Sequence, residues 1–284
     1  MSSVLKSVET SHSVGKAPHG QQLSATRRTM LDEMGYVHIP GFFDVGDELQ
    51  PIIDDIARCG ERICDEFDFY DASYIEALGQ EQRSTLYNLL RYLPSLTRLT
   101  SSETLLDSSR RAGMEFPMVL RSYNIRMDTP NRDEFLFHWH QDITYLLGSA
   151  NTLTYWIPLV EVDENNGSVE VVPGSHRQGI RPFRYTGEKA LARDTVLSPS
   201  DARLIEEPET AGVTITAKPG DLVLFSQFLL HRSTPNRSRQ TRWTVQIRHA
   251  DAFDQNFIDA GYPCGDATNI FHTDLFGHFS AEEK

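Results

Sequence analysis

Cysteine is scarce in this 284-residue chain, long hydrophobic runs are missing, and positive charge is outnumbered. Cys59, Cys64 and Cys264 make an odd number without the short paired spacings of a zinc site. That pattern argues against a disulfide framework and for free thiols in a reducing compartment, the cytoplasm by default. No apolar stretch approaches the roughly 20 residues that a bilayer demands, so no membrane span is expected. The polar segment from Met1 to Gln22 has no apolar centre of the kind a secretory leader carries, and it reads as a flexible tail. Lys and Arg number 27 against 40 Asp and Glu, a net charge of -13, and such a field repels a phosphate backbone. Nucleic acid is therefore not an expected partner.

What remains is the composition of an ordinary globular protein, long for one domain but within the range of a decorated β-sandwich or barrel. A single domain over residues 23–284 is expected. Ser24 can cap a helix running to Met34, with Gly35 as its stop and an extended segment from Tyr36 to Pro40-Gly41. Leu49, Ile52, Ile53, Ile56, Ile63 and Phe67 recur at helical spacing; Pro51 must then lie in the first turn, and Gly60 weakens the middle. A further helical stretch spans Gln80 to Leu93, and helix prevails to about residue 112.

From Met118 the texture changes to short runs rich in β-branched and aromatic residues, separated by turn clusters such as Asp163-Glu164-Asn165-Asn166-Gly167 and Lys218-Pro219-Gly220-Asp221. Strands are expected near 118–127, 136–143, 152–160, 168–172, 213–217, 221–226, 229–233 and 241–249. Eight short strands suggest a mainly β protein with flanking helices, its core a double-sheet jelly roll spanning about 118–250. The polar stretch 178–208, with Pro182, Pro199 and Pro208 in or beside it, reads as an insertion or lid.

Alternation sorts the strand from Thr241 to His249 into an apolar face of Trp243, Val245 and Ile247 and a polar face of Arg242, Thr244, Gln246 and Arg248. If helices cover the apolar side, the polar side faces the barrel interior, where its groups need partners or a ligand. An imidazole and a carboxylate, His140 and Asp142, stand two positions apart at the end of one expected strand and can reach one point in space. A second imidazole would complete a facial set of two histidines and one carboxylate, leaving positions open on a metal. His176, His231, His249 and His272 are the candidates. His231 is favoured because it follows a turn and an apolar strand, Leu222 to Phe225, that returns the chain to the barrel mouth. Arg242, with Ser233 beside His231, offers a guanidinium and a hydroxyl suited to a carboxylate.

His140-Gln141-Asp142, Trp156-Ile157-Pro158-Leu159, Asn166-Gly167-Ser168 running into Pro173-Gly174-Ser175-His176, Lys218-Pro219-Gly220-Asp221, His231-x-Ser233 and Arg242 together resemble the phytanoyl-CoA dioxygenase family. The resemblance covers roughly Tyr36 to Arg248. It implies a double-stranded β-helix, a cupin-like jelly roll, with iron(II) on His140, Asp142 and His231. It also implies that Arg242 and Ser233 take the distal carboxylate of 2-oxoglutarate, with Gln141 and Trp156 flanking that cosubstrate. Dioxygen would be the oxidant, and succinate and carbon dioxide would accompany hydroxylation of a small-molecule substrate. Retention of Asp142, which halogenating relatives replace with a small residue, leaves hydroxylation, desaturation and ring formation open.

Substrate contacts are expected near the barrel mouth, from Arg121, Tyr123, Asn124 and Arg126 before the metal motif and from His138 and Thr144 beside it. Alternation separates Arg121 and Tyr123 from Asn124 and Arg126, so not all can point inward. His138 is expected to be a core histidine satisfied by a hydrogen bond rather than a fourth ligand. An acidic chain without an evident basic cluster argues for a smaller metabolite than an acyl-coenzyme A. Two other readings share the triad: a jelly-roll sensor that binds metal without turnover, and a cupin-like isomerase or hydrolase that needs no 2-oxo acid.

Overall fold

The computed structural model describes residues 22–64, 66–144, 146–181, 183–185, 195–197, 211–262 and 264–266. The expected tail, apart from Gln22, lies outside the described residues, as do most of the expected insertion at 178–208 and His272. Helices at Ala25–Met34, Gln50–Ile63, Ala72–Ala77, Gln80–Leu90, Pro94–Thr100 and Glu103–Arg111 make up the N-terminal part, interrupted by strand β1 (Tyr36–Ile39). The Ser24 hydroxyl accepts the Arg27 N–H at 3.3 Å, and Gly35 ends the helix at φ 79, as the local signals predict.

Pro51 lies in the first turn of the second helix, where its missing N–H costs no bond. Gly60, poor for helix propensity by about 1 kcal/mol against Ala, has a packing reason. A Cβ there would fall 2.3 Å from the Phe67 ring. Ile52 and Ile56 are fully buried on this helix, and each contributes on the order of 1.5–3 kcal/mol by leaving water.

The strands that follow are β2 (Pro117–Val119), β3 (Asn124–Asp128), β4 (Leu146–Leu147), β5 (Leu153–Pro158), β6 (Val169–Val171), β7 (Phe183–Tyr185), β8 (Thr195–Leu197), β9 (Val213–Thr214), β10 (Leu222–Ser226), β11 (His231–Ser233), β12 (Arg242–Asp251) and β13 (Gly265–Asp266). All the described pairings are antiparallel. The main sheet runs β1-β10-β5-β12-β2 with β3 also on β12, and a second sheet runs β11-β6-β9.

Strand β12 is the hinge of the design. Trp243, Val245 and Ile247 are fully buried on its apolar side, where Trp243 stacks on Phe69 at 5.2 Å and its indole N–H donates to the Phe69 carbonyl at 2.7 Å. Arg242, Thr244, Gln246 and Arg248 occupy the opposite side and line a cavity between the two sheets. The polar face of this strand therefore points inward, as alternation with helix cover requires.

The strand expected at 136–143 does not form. A 3-10 turn at Asp133–Phe135 and another at Asp142–Thr144 flank it, and its one ladder element is an isolated bridge between His140 and His231. Its aromatic texture has a different cause. The guanidinium of Arg126 lies 4.6 Å from the Phe137 ring centre, that of Arg132 is 5.3 Å from Phe135, and that of Arg232 is 4.6 Å from Trp139. These rings are held by cations rather than by a sheet. The strand expected at 118–127 is likewise split into β2 and β3 by a turn, so that the two pieces pair with different parts of β12.

Candidate metal centre and cosubstrate cavity

His140 and His231 exchange two backbone hydrogen bonds, His140 N–H to the His231 carbonyl at 2.9 Å and the reverse at 3.0 Å. A hydrogen-bonded antiparallel pair sets opposed side chains on one side of the ladder. The two rings are 4.2 Å apart centre to centre. Each Nδ1 faces a carbonyl two residues back, His138 O at 2.6 Å and Leu229 O at 2.9 Å. A carbonyl only accepts, so each Nδ1 carries the hydrogen and each Nε2 presents a lone pair.

Asp142 opens the 3-10 turn two residues after His140, and its Oδ1 lies 3.7 Å from His140 Nε2 and 3.6 Å from His231 Nε2. These separations are too long for hydrogen bonds and suit donors sharing one cation. The three ligand atoms lie within 4.8 Å of one another, and all three residues are buried.

The other Asp142 oxygen is already engaged. Oδ2 accepts the Thr154 hydroxyl at 2.5 Å and the Arg248 guanidinium through Nε and Nη2, each at 3.3 Å. Burial alone would raise the Asp142 carboxyl, but Arg248, with the two imidazoles, holds it well below the usual carboxylate range. Burial, reinforced by neighbouring His140, pushes the His231 imidazole down to about 3, so it is neutral at pH 7. An anionic oxygen beside a neutral imidazole lone pair is a donor set ready for a divalent cation.

His140 and His231 border a cavity whose wall is largely polar. Trp156, Ser233, Arg242 and Arg126 line it. Arg242 is anchored before any ligand arrives. Its Nη2 donates to Asp128 Oδ2 at 2.9 Å, and its Nη1 approaches the carbonyls of Ser168 and Thr234 at 3.4 Å. Asp128 also receives Arg126. Burial opposes its ionisation, yet the two guanidinium groups outweigh burial and keep its carboxyl far below its ordinary value.

Two buried donors on the cavity wall, Arg242 Nε and Thr244 Oγ1, have no protein partner. Buried donors of this kind are costly unless a ligand satisfies them. With Ser233 on the same wall, they fit the carboxylate of a bound 2-oxo acid. Gly167 at φ 79 makes room for this arrangement: a Cβ there would fall 2.5 Å from the Thr234 carbonyl and 2.7 Å from Arg242 Nη1.

Several expected roles change. Gln141 does not line the cavity; its amide donates to Gly179 O at 2.9 Å and Phe228 O at 2.6 Å and accepts Arg181 N–H at 2.7 Å, clamping three segments together. Thr144 is buried and donates to the Gln141 carbonyl at 2.7 Å, closing the 3-10 turn. His138 is exposed rather than a core histidine, and it contributes its carbonyl to His140. Tyr123 packs against the hydrophobic core, on the opposite face from Arg126, and Arg121 is exposed. Asn124 shares the Arg126 face but is not on the cavity wall. His176 reaches the Asp32 carbonyl at 3.2 Å, a loop contact. His249 is buried against Ser109 at 2.7 Å and the Thr100 carbonyl at 2.8 Å, away from the triad.

Sequence reasoning missed Thr154 and Asp128, which have no motif to mark them. Arg248 and Thr244 were legible as inward polar residues but carried no role.

The two-histidine, one-carboxylate donor set at the wall of a polar cavity defines a class, the non-haem metal oxygenases. The chain belongs to the phytanoyl-CoA dioxygenase family, whose model, described as "Phytanoyl-CoA dioxygenase (PhyH)", matches residues 31–244. It is 26% identical over 220 residues to a 1-deoxypentalenic acid 11-beta-hydroxylase of Streptomyces arenae, covering 73% of each chain. It is 26% identical over 266 residues to a probable alpha-ketoglutarate-dependent hypophosphite dioxygenase of Stutzerimonas stutzeri, covering 90% of this chain and 83% of that one. Its fold is similar to EctD from S. alaskensis, solved with 2-oxoglutarate and 5-hydroxyectoine, at TM-score 0.54 and 18% identity over 84% of this chain and 79% of that one. EvdO2 from Micromonospora carbonacea, complexed with 2-oxoglutarate, gives TM-score 0.54 at 16% identity over 81% and 91%. Among the described residues no helix is long and apolar enough to cross a membrane.

Proposed function

We propose that this chain is an iron(II)- and 2-oxoglutarate-dependent hydroxylase of a small metabolite, built as one domain over residues 23–284 on a double-stranded β-helix core. The observation that carries the reading is the pre-formed triad of His140, Asp142 and His231 opening on a cavity with unpartnered buried donors. Bound there, iron(II) with 2-oxoglutarate and dioxygen supplies the oxidising chemistry, and the cosubstrate leaves as succinate and carbon dioxide.

Each step left to the protein has a residue. His140 and His231 offer Nε2 because their Nδ1 hydrogens are held by carbonyls. Arg242 Nε, with the Ser233 and Thr244 hydroxyls, receives the distal carboxylate of the 2-oxo acid, while Asp128 fixes the guanidinium plane. Trp156 would flank the cosubstrate, and Arg126 and Phe137 line the same cavity, within reach of a substrate bound there. The retained Asp142 supports hydroxylation. Relatives named for small metabolites, 1-deoxypentalenic acid among them, support a compact substrate.

The test is succinate release from 2-oxoglutarate by protein reconstituted with iron(II), measured under air and under argon. Oxygen-dependent succinate that disappears in Asp142→Ala and is not restored by zinc is the expected result. Equal release with and without oxygen would sink the reading.

A further inference from the structure

The two oxygens of Asp142 live in different surroundings. Oδ1 faces both imidazole Nε2 atoms, whereas Oδ2 is taken by Thr154 from β5 and Arg248 from β12. Register puts Thr154 and Arg248 directly opposite each other on adjacent strands, so a single cross-strand pair holds this oxygen. Both are buried, Thr154 at 0% and Arg248 at 4% exposure, and Asp142 is itself at 0%. Arg248 is steadied in turn by the Ser122 carbonyl at 3.3 Å and the Gln246 side-chain oxygen at 3.2 Å. The carboxylate plane is thus clamped from behind by rigid sheet.

We infer that Thr154 and Arg248 are positioning residues that keep Asp142 a one-oxygen ligand and so preserve the coordination site at which dioxygen binds. The inference rests on the iron and 2-oxoglutarate reading above. An octahedral ion bound by two imidazoles and one carboxylate oxygen keeps three positions. A chelating 2-oxo acid uses two, and one stays open. A carboxylate that swung to offer both oxygens would take that last position. Thr154 and Arg248 make the swing unfavourable, because Oδ2 would have to leave a hydroxyl and a guanidinium that are buried with it. The two contributions differ in kind: Thr154 donates a short hydrogen bond from an uncharged hydroxyl to the carboxylate, and Arg248 brings a positive charge that also compensates its burial.

The open position can be read without turnover. Metal-stripped protein is loaded anaerobically with iron(II) and 2-oxoglutarate, and nitric oxide is titrated in as a dioxygen surrogate, followed by the electron paramagnetic resonance of the nitrosyl adduct. Wild type and Thr154→Ser, which keeps the hydroxyl, should bind nitric oxide alike. Thr154→Val, equal in shape but without the hydroxyl, should bind it about 10- to 100-fold more weakly, the usual effect of losing a hydrogen bond to a metal ligand. Arg248→Lys, which keeps the charge but not the two-nitrogen contact, should weaken it in the same direction and guards against a folding defect in the valine variant. Nitric oxide binding by both Thr154→Val and Arg248→Lys at wild-type affinity would overturn the proposal alone, leaving the oxygenase reading intact. Wild-type protein that takes up no iron would overturn both.

Discussion

Replacing Arg242 with Met removes the cation at the far end of the cavity while keeping most of the side-chain volume. The guanidinium is 3% exposed, with Nη2 on Asp128 at 2.9 Å and Nε unpartnered at the cavity wall. A charge-assisted hydrogen bond between Nε and the cosubstrate carboxylate is worth about 1.5–3 kcal/mol. Losing it also strips Asp128 of one of its two cations, leaving a less compensated negative charge beside a dianionic ligand, so the upper end of that range applies. About 3 kcal/mol corresponds to roughly a 100-fold loss in affinity. Asp128 retains Arg126, with contacts at 2.5 and 3.1 Å, so the fold should survive. The expected outcome is a rise of about 100-fold in KM for 2-oxoglutarate, measured by succinate release, and loss of the thermal protection that 2-oxoglutarate gives wild type. Arg242→Lys should fall between, since a point charge lacks the guanidinium fork. An unchanged KM in a folded Arg242→Met protein would place the carboxylate elsewhere; unchanged activity with no need for a 2-oxo acid would point to an isomerase or hydrolase instead.

Asp128→Asn leaves the buried Arg242 guanidinium without its carboxylate, beside the partly buried Arg126, and should cost about 3 kcal/mol of unfolding free energy at pH 7, read from urea denaturation. Gly167→Ala forces a Cβ onto the Thr234 carbonyl and Arg242 Nη1 at a positive φ, so it should raise the KM for 2-oxoglutarate and lower the melting temperature together; a change in melting temperature alone would speak against the Arg242 site. Gln141→Leu deprives the Gly179 and Phe228 carbonyls and the Arg181 N–H of their partner, at about 1–3 kcal/mol for each group left unsatisfied, and weakened iron retention is the accompanying readout. Acid should unfold the metal-free protein early. Burial pushes His231 down to about 3 and His249 down to about 4, below their unfolded values near 6.5, so the unfolded chain binds the extra protons. Stability then falls as pH drops below about 6.5, by up to about 2.7 kcal/mol per unit with both groups contributing. Urea midpoints that stay flat between pH 6 and 4.5 would contradict this.

The elements that could be read directly were those whose cause is local. The Ser24 cap, the Gly35 stop and the position of Pro51 are decided within a turn of chain, and the two faces of β12 follow from alternation once helices cover one of them. The triad was legible for a further reason: motif order along the chain stands in for spatial proximity that no single spacing reveals. What stayed hidden depends on partners distant in sequence. Residues 136–143 look like a strand by composition but meet only one ladder partner, and their rings rest on arginines from elsewhere. Gln141 sits inside the metal motif, yet its amide is consumed by backbone at 179, 181 and 228. Thr154 and Asp128 carry no motif, because their roles arise from register across β12: Thr154 opposite Arg248, Asp128 opposite Arg242. The convergence of Arg126 from β3, Arg232 from β11 and Arg242 and Arg248 from β12 on one cavity was hidden for the same reason, since residues so far apart in sequence form no linear basic cluster.

The central claim is that His140, Asp142 and His231 hold iron(II) on which 2-oxoglutarate chelates. The most direct measurement is the visible spectrum of metal-stripped protein on anaerobic addition of iron(II) and then 2-oxoglutarate. A weak metal-to-ligand charge-transfer band that appears only when both are present, and is lost in His140→Ala, Asp142→Ala and His231→Ala, is the predicted result. A folded wild-type protein that shows no band, or a band that survives all three substitutions, would contradict the account.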